Sequence, residues 1–463
     1  MRYKKLLVII PDGVSLKNFA YTDFPIEVKK LGWDLVYLNL TNFDLTKSGI
    51  REVKIIPKPK RWTDLLKRAK ILVELDHFQN RFNDPVYNKY KFGASKKGIK
   101  NKVKNFILRI LFKKNQGKKG LNNLRFKIQE SEKGSAYYLE CIKVFEDEKP
   151  DMVLCASQRP VKAVAPILAS QKLNIPTACF IFSWDNLPKA TKIIDTDYYF
   201  VWSDFMKEEL KKYYPYINDE QVRITGSPQF EIHYKKEVII PRHEFFERYA
   251  LDINKNYICF SGDDITTSPH DELFLLDLAE EVEELNKTGN SIGIIFRRCP
   301  VDLSGRYDFV LDKFKNLIVP IEPEWTSSET AWNEIMPKKE DLILQTNIIE
   351  HSFMVINVGS SMIFDFAAKE KPCAYISYIP RTDRLDKDIQ EVYNYVHFRS
   401  MPTSDPVYWI RNKSDYKHVV LQQFKQDKRV EVLANAVKWS NIINQNMSNS
   451  SQMMIKEIEQ IIE

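Results

Sequence analysis

The sequence predicts an α/β protein made of two parallel-sheet units in tandem. Three observations carry this. Short apolar runs alternate with stretches of helical period, the pattern of a parallel sheet with connecting helices. The pattern opens twice on a buried-type strand, at Leu6–Ile10 and at Tyr257–Ser261, with a polar stretch at Glu231–Asn256 between them. And 463 residues exceed one ordinary domain of roughly 150.

Leu6–Ile10 is continuously apolar and ends at Pro11-Asp12-Gly13, so it reads as a buried first strand with a loop at its C-terminal end. A helix is expected at Tyr21–Leu31, strands at Asp34–Leu40 and Val53–Ile56, and helices at Thr63–Asn80 and Leu121–Glu148, the last stopped by Lys149-Pro150. Alternation is then regular: strand Met152–Ala156, helix Val161–Lys172, strands Thr177–Phe182 and Tyr198–Trp202, helix Asp204–Tyr214, strand Val222–Thr225. The second unit repeats it, with strand Tyr257–Ser261, helix Glu272–Asn286, strands Ser291–Arg297 and Phe353–Val358, helix Met362–Lys369 and strand Cys373–Ser377. Val430–Glu463 reads as two helices broken at Asn446–Ser451, and no repeat of 20–50 residues is visible. The division expected is an N-terminal domain at 1–235 with an insertion at 85–129, a linker at 236–255, a C-terminal domain at 256–428 and a helical tail at 429–463.

The formal charge of +7 is unevenly spread. Residues 85–129 hold 14 Lys or Arg and no acid, leaving 55 of the 69 basic residues to face all 62 acidic ones, a net of −7. Glycine is scarce, 14 of 463, and Gly93 and Gly98 lack the Lys-Ser/Thr that a phosphate-binding P-loop requires. The cysteines (Cys141, Cys155, Cys179, Cys259, Cys299, Cys373) form no ligand-spaced set and read as reduced thiols of a cytosolic protein. The apolar core after Met1 is about five residues where a signal peptide needs ~7–15, and no run reaches the ~18 of a membrane span. Any membrane contact is expected to be peripheral.

The most informative stretch is Phe353–Asp365. An apolar strand ends at Val358, Gly359 permits a tight turn, and Ser360 and Ser361 then open a helix, whose free N–H groups and dipole favour a phosphate. Asp365 lies one turn on, where a carboxylate can meet ribose hydroxyls; the alternative is an ordinary capped helix. Arg297 and Arg298 end another strand at the sheet's carboxyl edge, where guanidinium groups suit a diphosphate. Asp263 follows the second unit's first strand and is expected to join Gly359, Ser360, Ser361, Asp365, Arg297 and Arg298 in binding the nucleotide.

Gly359-Ser360-Ser361-Met362-Ile363-Phe364-Asp365, continuing to Lys371-Pro372, resembles the C-domain motif of GT-B transferases, in particular the CDP-glycerol glycerophosphotransferases and related bacterial cell-surface glycosyltransferases. Ser183-Trp184-Asp185-Asn186-Leu187, Val201-Trp202-Ser203 and Ile224-Thr225-Gly226-Ser227-Pro228-Gln229-Phe230 resemble the second half of the N-domain of bacterial surface-polysaccharide glycosyltransferases. Together the matches cover about 200 residues in the order a GT-B protein requires. The phosphotransferases often carry Lys/Arg-x-His-Pro; here the strand ends Arg297-Arg298-Cys299-Pro300. The resemblance implies two Rossmann-like domains facing a central cleft, a nucleotide-activated donor on the C-domain and a glycan acceptor, expected to be lipid-linked, on the N-domain.

A glycosyltransferase of cell-surface polysaccharide biosynthesis is therefore expected, with a CDP-polyol phosphotransferase and a non-catalytic peripheral-membrane adaptor as alternatives. An epimerase of sugar nucleotides shares the fold. Inverting transfer needs a base; Asp12 and Asp185 are the candidates, and His77 and His351 are weaker ones. Asp195-Thr196-Asp197 has metal-binding spacing but precedes a strand, so no metal and no cofactor beyond the nucleotide donor is expected. Within the basic segment, Ile99, Val103, Phe106, Ile107, Ile110 and Leu111 have helical spacing among lysines. Phe106, Ile107, Ile110, Lys104 and Lys113 are expected to face an anionic membrane, placing the protein in the cytoplasm on the inner face of the cell membrane. The alternative is a helix packed on the N-domain. Nucleic acid is not an expected partner, since no recognition motif accompanies the charge.

Overall fold

The computed structural model describes residues 3–91, 98–327, 335–380, 389–403, 405–424 and 426–463. The chain divides into two units, Met1–Pro228 with Gln445–Glu463, and Gln229–Asn444.

The first unit holds a seven-stranded sheet. Its strands are β1 (Lys5–Ile10), β2 (Asp34–Asn39), β3 (Glu52–Lys54), β4 (Met152–Cys155), β5 (Thr177–Phe180), β6 (Tyr198–Val201) and β7 (Val222–Ile224), in the spatial order β3-β2-β1-β4-β5-β6-β7. Every pairing is parallel. Leu6 to Ile10 are wholly buried, which is why the central strand reads as an unbroken apolar run rather than an alternating one.

The second unit's sheet comprises β8 (Asn256–Ser261), β9 (Ile292–Arg297), β10 (Ile318–Pro320), β13 (Ser352–Asn357), β14 (Cys373–Ile376) and β15 (Tyr408–Ile410), ordered β10-β9-β8-β13-β14-β15. A separate antiparallel pair joins β11 (Trp325–Ser327) to β12 (Ile335–Pro337). In both units the order reverses once, between β1 and β4 and between β8 and β13. Loops leaving the carboxyl ends of strands at such a reversal diverge and open a crevice, the usual ligand position in a doubly wound sheet.

Several elements differ from expectation. The single helix expected over Leu121–Glu148 is two, Gly117–Glu132 and Ala136–Glu148. Gly134 at φ +70° breaks it, and Ser135 restarts it by accepting the Tyr138 N–H on its side chain at 3.1 Å. The stretch expected as a linker is part of the second unit: Asn347 of the Lys339–His351 helix accepts from Ile240 N at 2.7 Å and donates to Val238 O at 2.9 Å. The tail is divided. The Gln426–Ile443 helix belongs to the second unit and the Ser450–Ile462 helix to the first, where Glu457 lies 3.4 Å from Arg223.

Gly226 explains how the returning tail is seated. Its φ is +76°, and a Cβ there would come within 2.2 Å of the Gln445 carbonyl oxygen. Only glycine has both the left-handed backbone and the missing side chain that this crossing demands.

The helical insertion is fastened to the first sheet by a buried ionic network. Lys70 of the Arg61–Phe82 helix pairs with Glu74 and donates to Lys192 O at 2.5 Å. Lys192 pairs with Asp195, and Arg125 of the Gly117–Glu132 helix holds the same carboxylate at 3.0 Å. Burial opposes ionisation of Asp195, but Lys192 and Arg125 outweigh it and hold the carboxyl well below the usual range. The Asp195-Thr196-Asp197 spacing is thus structural: Asp197 accepts from Thr177 N at 2.9 Å and Thr177 Oγ1 at 2.7 Å.

Candidate functional site

At the second unit's reversal, β13 runs into the turn Val358–Ser361 and the short helix Met362–Ala367. Buried Asn357 closes the turn by accepting the Ser360 N–H on Oδ1 at 2.9 Å, while Tyr375 donates to Ser360 O at 2.9 Å. Gly359 has φ +65°, and a Cβ there would stand 3.0 Å from Phe398 and 3.1 Å from Val392. The turn is therefore rigid and specific to glycine. Ser361 is exposed and makes no capping bond to the helix.

Asp365 lies one turn further on. Its Oδ1 accepts from His233 Nε2 at 2.8 Å, and His233 Nδ1 meets Thr346 Oγ1 at 3.1 Å. His233 is buried, and Asp365 keeps 13 % of its side chain exposed. One carboxylate oxygen is held by protein; Oδ2 has no partner among the described residues, and so can accept from a ligand hydroxyl. His233 escaped the sequence reading because 132 residues separate it from Asp365 and it lies in a stretch that reads as linker.

On the other side of the reversal, β8 ends in Gly262-Asp263-Asp264. The Asp263 carboxyl is pushed well above the usual range by burial, with Asp271 and Asp264 adding repulsion. Asp271 is itself raised to about 6 by burial. Arg306 braces this loop, donating to Asp263 O at 2.5 Å, Ser268 O at 2.6 Å and Asp302 at 2.7 Å. Nothing in the sequence marks Arg306, since two of its partners are backbone carbonyls far along the chain.

The two strand-end arginines are engaged by protein groups. Arg297 is buried, with Nη2 at 2.8 and 3.0 Å from the two oxygens of Asp341. Asp341 also accepts from Trp325 Nε1 at 2.7 Å and Glu324 N at 2.8 Å. Asp341 thereby links the end of β9 to the β11–β12 pair, while Arg297 Nη1 is buried with no hydrogen-bond partner among the described residues. Arg298 donates to Ser304 O at 2.7 Å and lies 3.4 Å from Glu322. His351 bonds Ile240 O at 2.9 Å, and its ring packs tilted at 31° against Phe245 with centroids 4.8 Å apart.

In the first unit, Asp12 stands at the reversal between β1 and β4. It is buried, and Oδ1 accepts from Ser15 N at 3.0 Å and Ser15 Oγ at 2.8 Å, capping a short turn. Asp185 follows β5, where it pairs with Lys189 and accepts from Asn186 Nδ2 at 2.8 Å. Arg159 follows β4 at the same edge, and its guanidinium covers the Phe182 ring at 4.8 Å. Burial lowers its pKa while Asp12 and Asp185 support its charge. Gln158 holds the loops together: Oε1 accepts from Phe182 N at 3.0 Å and Nε2 donates to Asn186 Oδ1 at 3.0 Å. Nearby Glu209 is pushed up to about 8 by burial. The structure thus brings Asp12 and Asp185 to one sheet edge around Arg159, a residue that the sequence did not single out.

Of the residues expected to face a membrane, Phe106, Ile110 and Lys113 are exposed, Ile107 is half-buried, and Lys104 turns to Asp64 at 3.4 Å. Residues 92–97 of the basic segment lie outside the described residues. Among the described residues no group of three or more His, Cys, Asp or Glu is placed to hold a metal ion.

No family model and no curated protein matches the chain. Solved structures do. A putative UDP-N-acetylglucosamine 2-epimerase from Listeria monocytogenes aligns with TM-score 0.57 and 12 % identity, covering 100 % of this chain and 97 % of that one. A glycosyltransferase from Rickettsia africae aligns with TM-score 0.53 and 12 % identity over 100 % and 99 %. The UDP-GlcNAc 2-epimerase of Methanocaldococcus jannaschii aligns with TM-score 0.52 and 12 % identity over 98 % and 99 %. With its two parallel sheets, the chain has the α/β GT-B fold.

Proposed function

We propose that the chain binds a uridine-diphosphate sugar at the carboxyl edge of the second unit's sheet and inverts a centre of the sugar. The observation that carries the binding is the pairing of Ser361 with Asp365: an unengaged hydroxyl, and one turn on a carboxylate held by His233 with Oδ2 still unengaged. A hydroxyl donates to a phosphate oxygen and a carboxylate accepts from ribose hydroxyls, so the two match adjacent parts of a nucleotide. Uridine and epimerisation are supported by the likeness to the Listeria and Methanocaldococcus 2-epimerases. Inversion at a carbon takes a proton off and returns one to the opposite face, which calls for a base and an acid.

Transfer of the sugar to a glycan is the second reading, favoured by the Ser183–Leu187 resemblance and by the Rickettsia glycosyltransferase. Thermal shift with UDP, GDP and CDP tests the binding; UDP at 100 times its Kd should add about 2.7 kcal/mol of stability. Proton NMR in heavy water then separates the reactions. An epimerase exchanges the sugar C2 proton for deuterium with no acceptor present, whereas a transferase leaves it in place until an acceptor is added. Silence toward all three nucleotides overturns both readings.

A further inference from the structure

The Ile99–Lys114 helix lies inside the basic segment, and the described residues cover it on one side only. Leu108 and Leu111 are its buried residues, and Lys104 reaches Asp64 on the Arg61–Phe82 helix at 3.4 Å. On the opposite side Ile99 is 80 % exposed, Val103 53 %, Phe106 64 % and Ile110 38 %. At 100° per residue these four fall within an arc about 60° wide. Lys102, Arg109 and Lys113 flank one edge of the arc and Lys100 and Lys114 the other, all exposed. None of the five has an acidic partner among the described residues.

An apolar stripe rimmed by unpaired cations calls for a partner that is apolar within and anionic at its surface. A second copy of this chain docked face to face does not qualify, because it would set these five exposed cations against the same five. A bilayer with anionic headgroups does. The helix is about 24 Å long at 1.5 Å per residue, and no helix among the described residues is long and apolar enough to cross a membrane. We propose that this helix lies flat on an anionic lipid surface, with Ile99, Val103, Phe106 and Ile110 among the upper acyl chains and the five cations at the headgroups. This inference does not depend on the nucleotide reading.

The test is flotation of the full chain with vesicles of phosphatidylcholine alone or mixed with phosphatidylglycerol. The chain should float only with the mixed vesicles and should be released by high salt. Val103→Ser with Phe106→Ser should abolish flotation, and Lys102→Glu with Lys113→Glu should weaken partitioning roughly tenfold or more. All four side chains are exposed, so melting curves should match the parent and separate lost docking from lost folding. Three outcomes overturn the proposal: the parent stays in the aqueous fraction, both double variants float like the parent, or Phe106-dependent dimers form in light scattering without flotation.

Discussion

His233 Nε2 donates to Asp365 Oδ1 at 2.8 Å, and through this bond the segment entering the second unit grips the helix that follows β13. Thr346 Oγ1 sits 3.1 Å from the other ring nitrogen and donates to Leu342 O at 2.9 Å, so the imidazole is fixed from both ends. Its effect on a ligand is indirect: it orients Asp365 and leaves Oδ2 outward.

His233→Ala should therefore weaken UDP binding roughly tenfold, the value of about one hydrogen bond to a charged group. His233→Gln, which can still donate to the carboxylate, should recover part of the loss. Calorimetric titration measures both. Affinity unchanged in His233→Ala would place Asp365 outside the nucleotide site.

Gly226→Ala tests the seating of the C-terminal tail. The added Cβ would stand 2.2 Å from Gln445 O, on backbone that L-residues avoid. Gln445 N is itself bonded to Trp202 O at 2.9 Å, and Gln445 Nε2 to Asp204 at 3.0 Å. The expected result is faster proteolysis near residues 444–449 and a loss of about 1–3 kcal/mol. A cleavage pattern identical to the parent's would show that the tail is held elsewhere.

The Lys70–Glu74 pair yields a prediction of another kind. Both side chains are buried, and burial pushes Glu74 up and Lys70 down toward their neutral forms. Lys70→Met leaves Glu74 with Tyr214 Oη at 3.4 Å as its remaining hydrogen-bond partner, and should cost about 3–5 kcal/mol in denaturant unfolding. Adding Glu74→Leu should restore much of it, since a buried pair replaced by apolar groups is often neutral. Failure of the double variant to recover would mean that the network specifies the docking of the Arg61–Phe82 helix rather than merely neutralising itself.

These residues mark where sequence reading ends. The central strands were legible because burial on both faces writes β1, β4, β8 and β13 as apolar runs, and because each reversal loop carries turn residues at Asp12 and at Gly359. The edge strands β10 and β15 are three residues each, too short to show a period. Lys70 and Lys192 sit in polar-looking stretches, and only their ionic partners make burial tolerable. Asp365 was singled out from its spacing to Ser361, but what holds it was not legible: pairing across 132 residues leaves no local trace. The Arg297–Asp341 pair is hidden in the same way, since 44 residues separate its members.

Glu209 supplies a pH prediction with a definite sign. Burial raises its carboxyl to about 8, with Asp185 adding to the rise and Lys212 opposing it, against an ordinary value of 4.5. Between those two values the folded chain holds a proton that the unfolded chain has lost, so stability must fall as pH rises through this window. The contribution is complete below about pH 4.5 and gone once pH passes the folded-state value. Glu209→Gln keeps the shape and removes the titration. Its melting temperature should therefore exceed the parent's at alkaline pH, and the gap should close as pH falls toward 5. Melting curves of both proteins across this range check it. A gap that stays constant with pH would show that the Glu209 carboxyl is not raised in the folded chain.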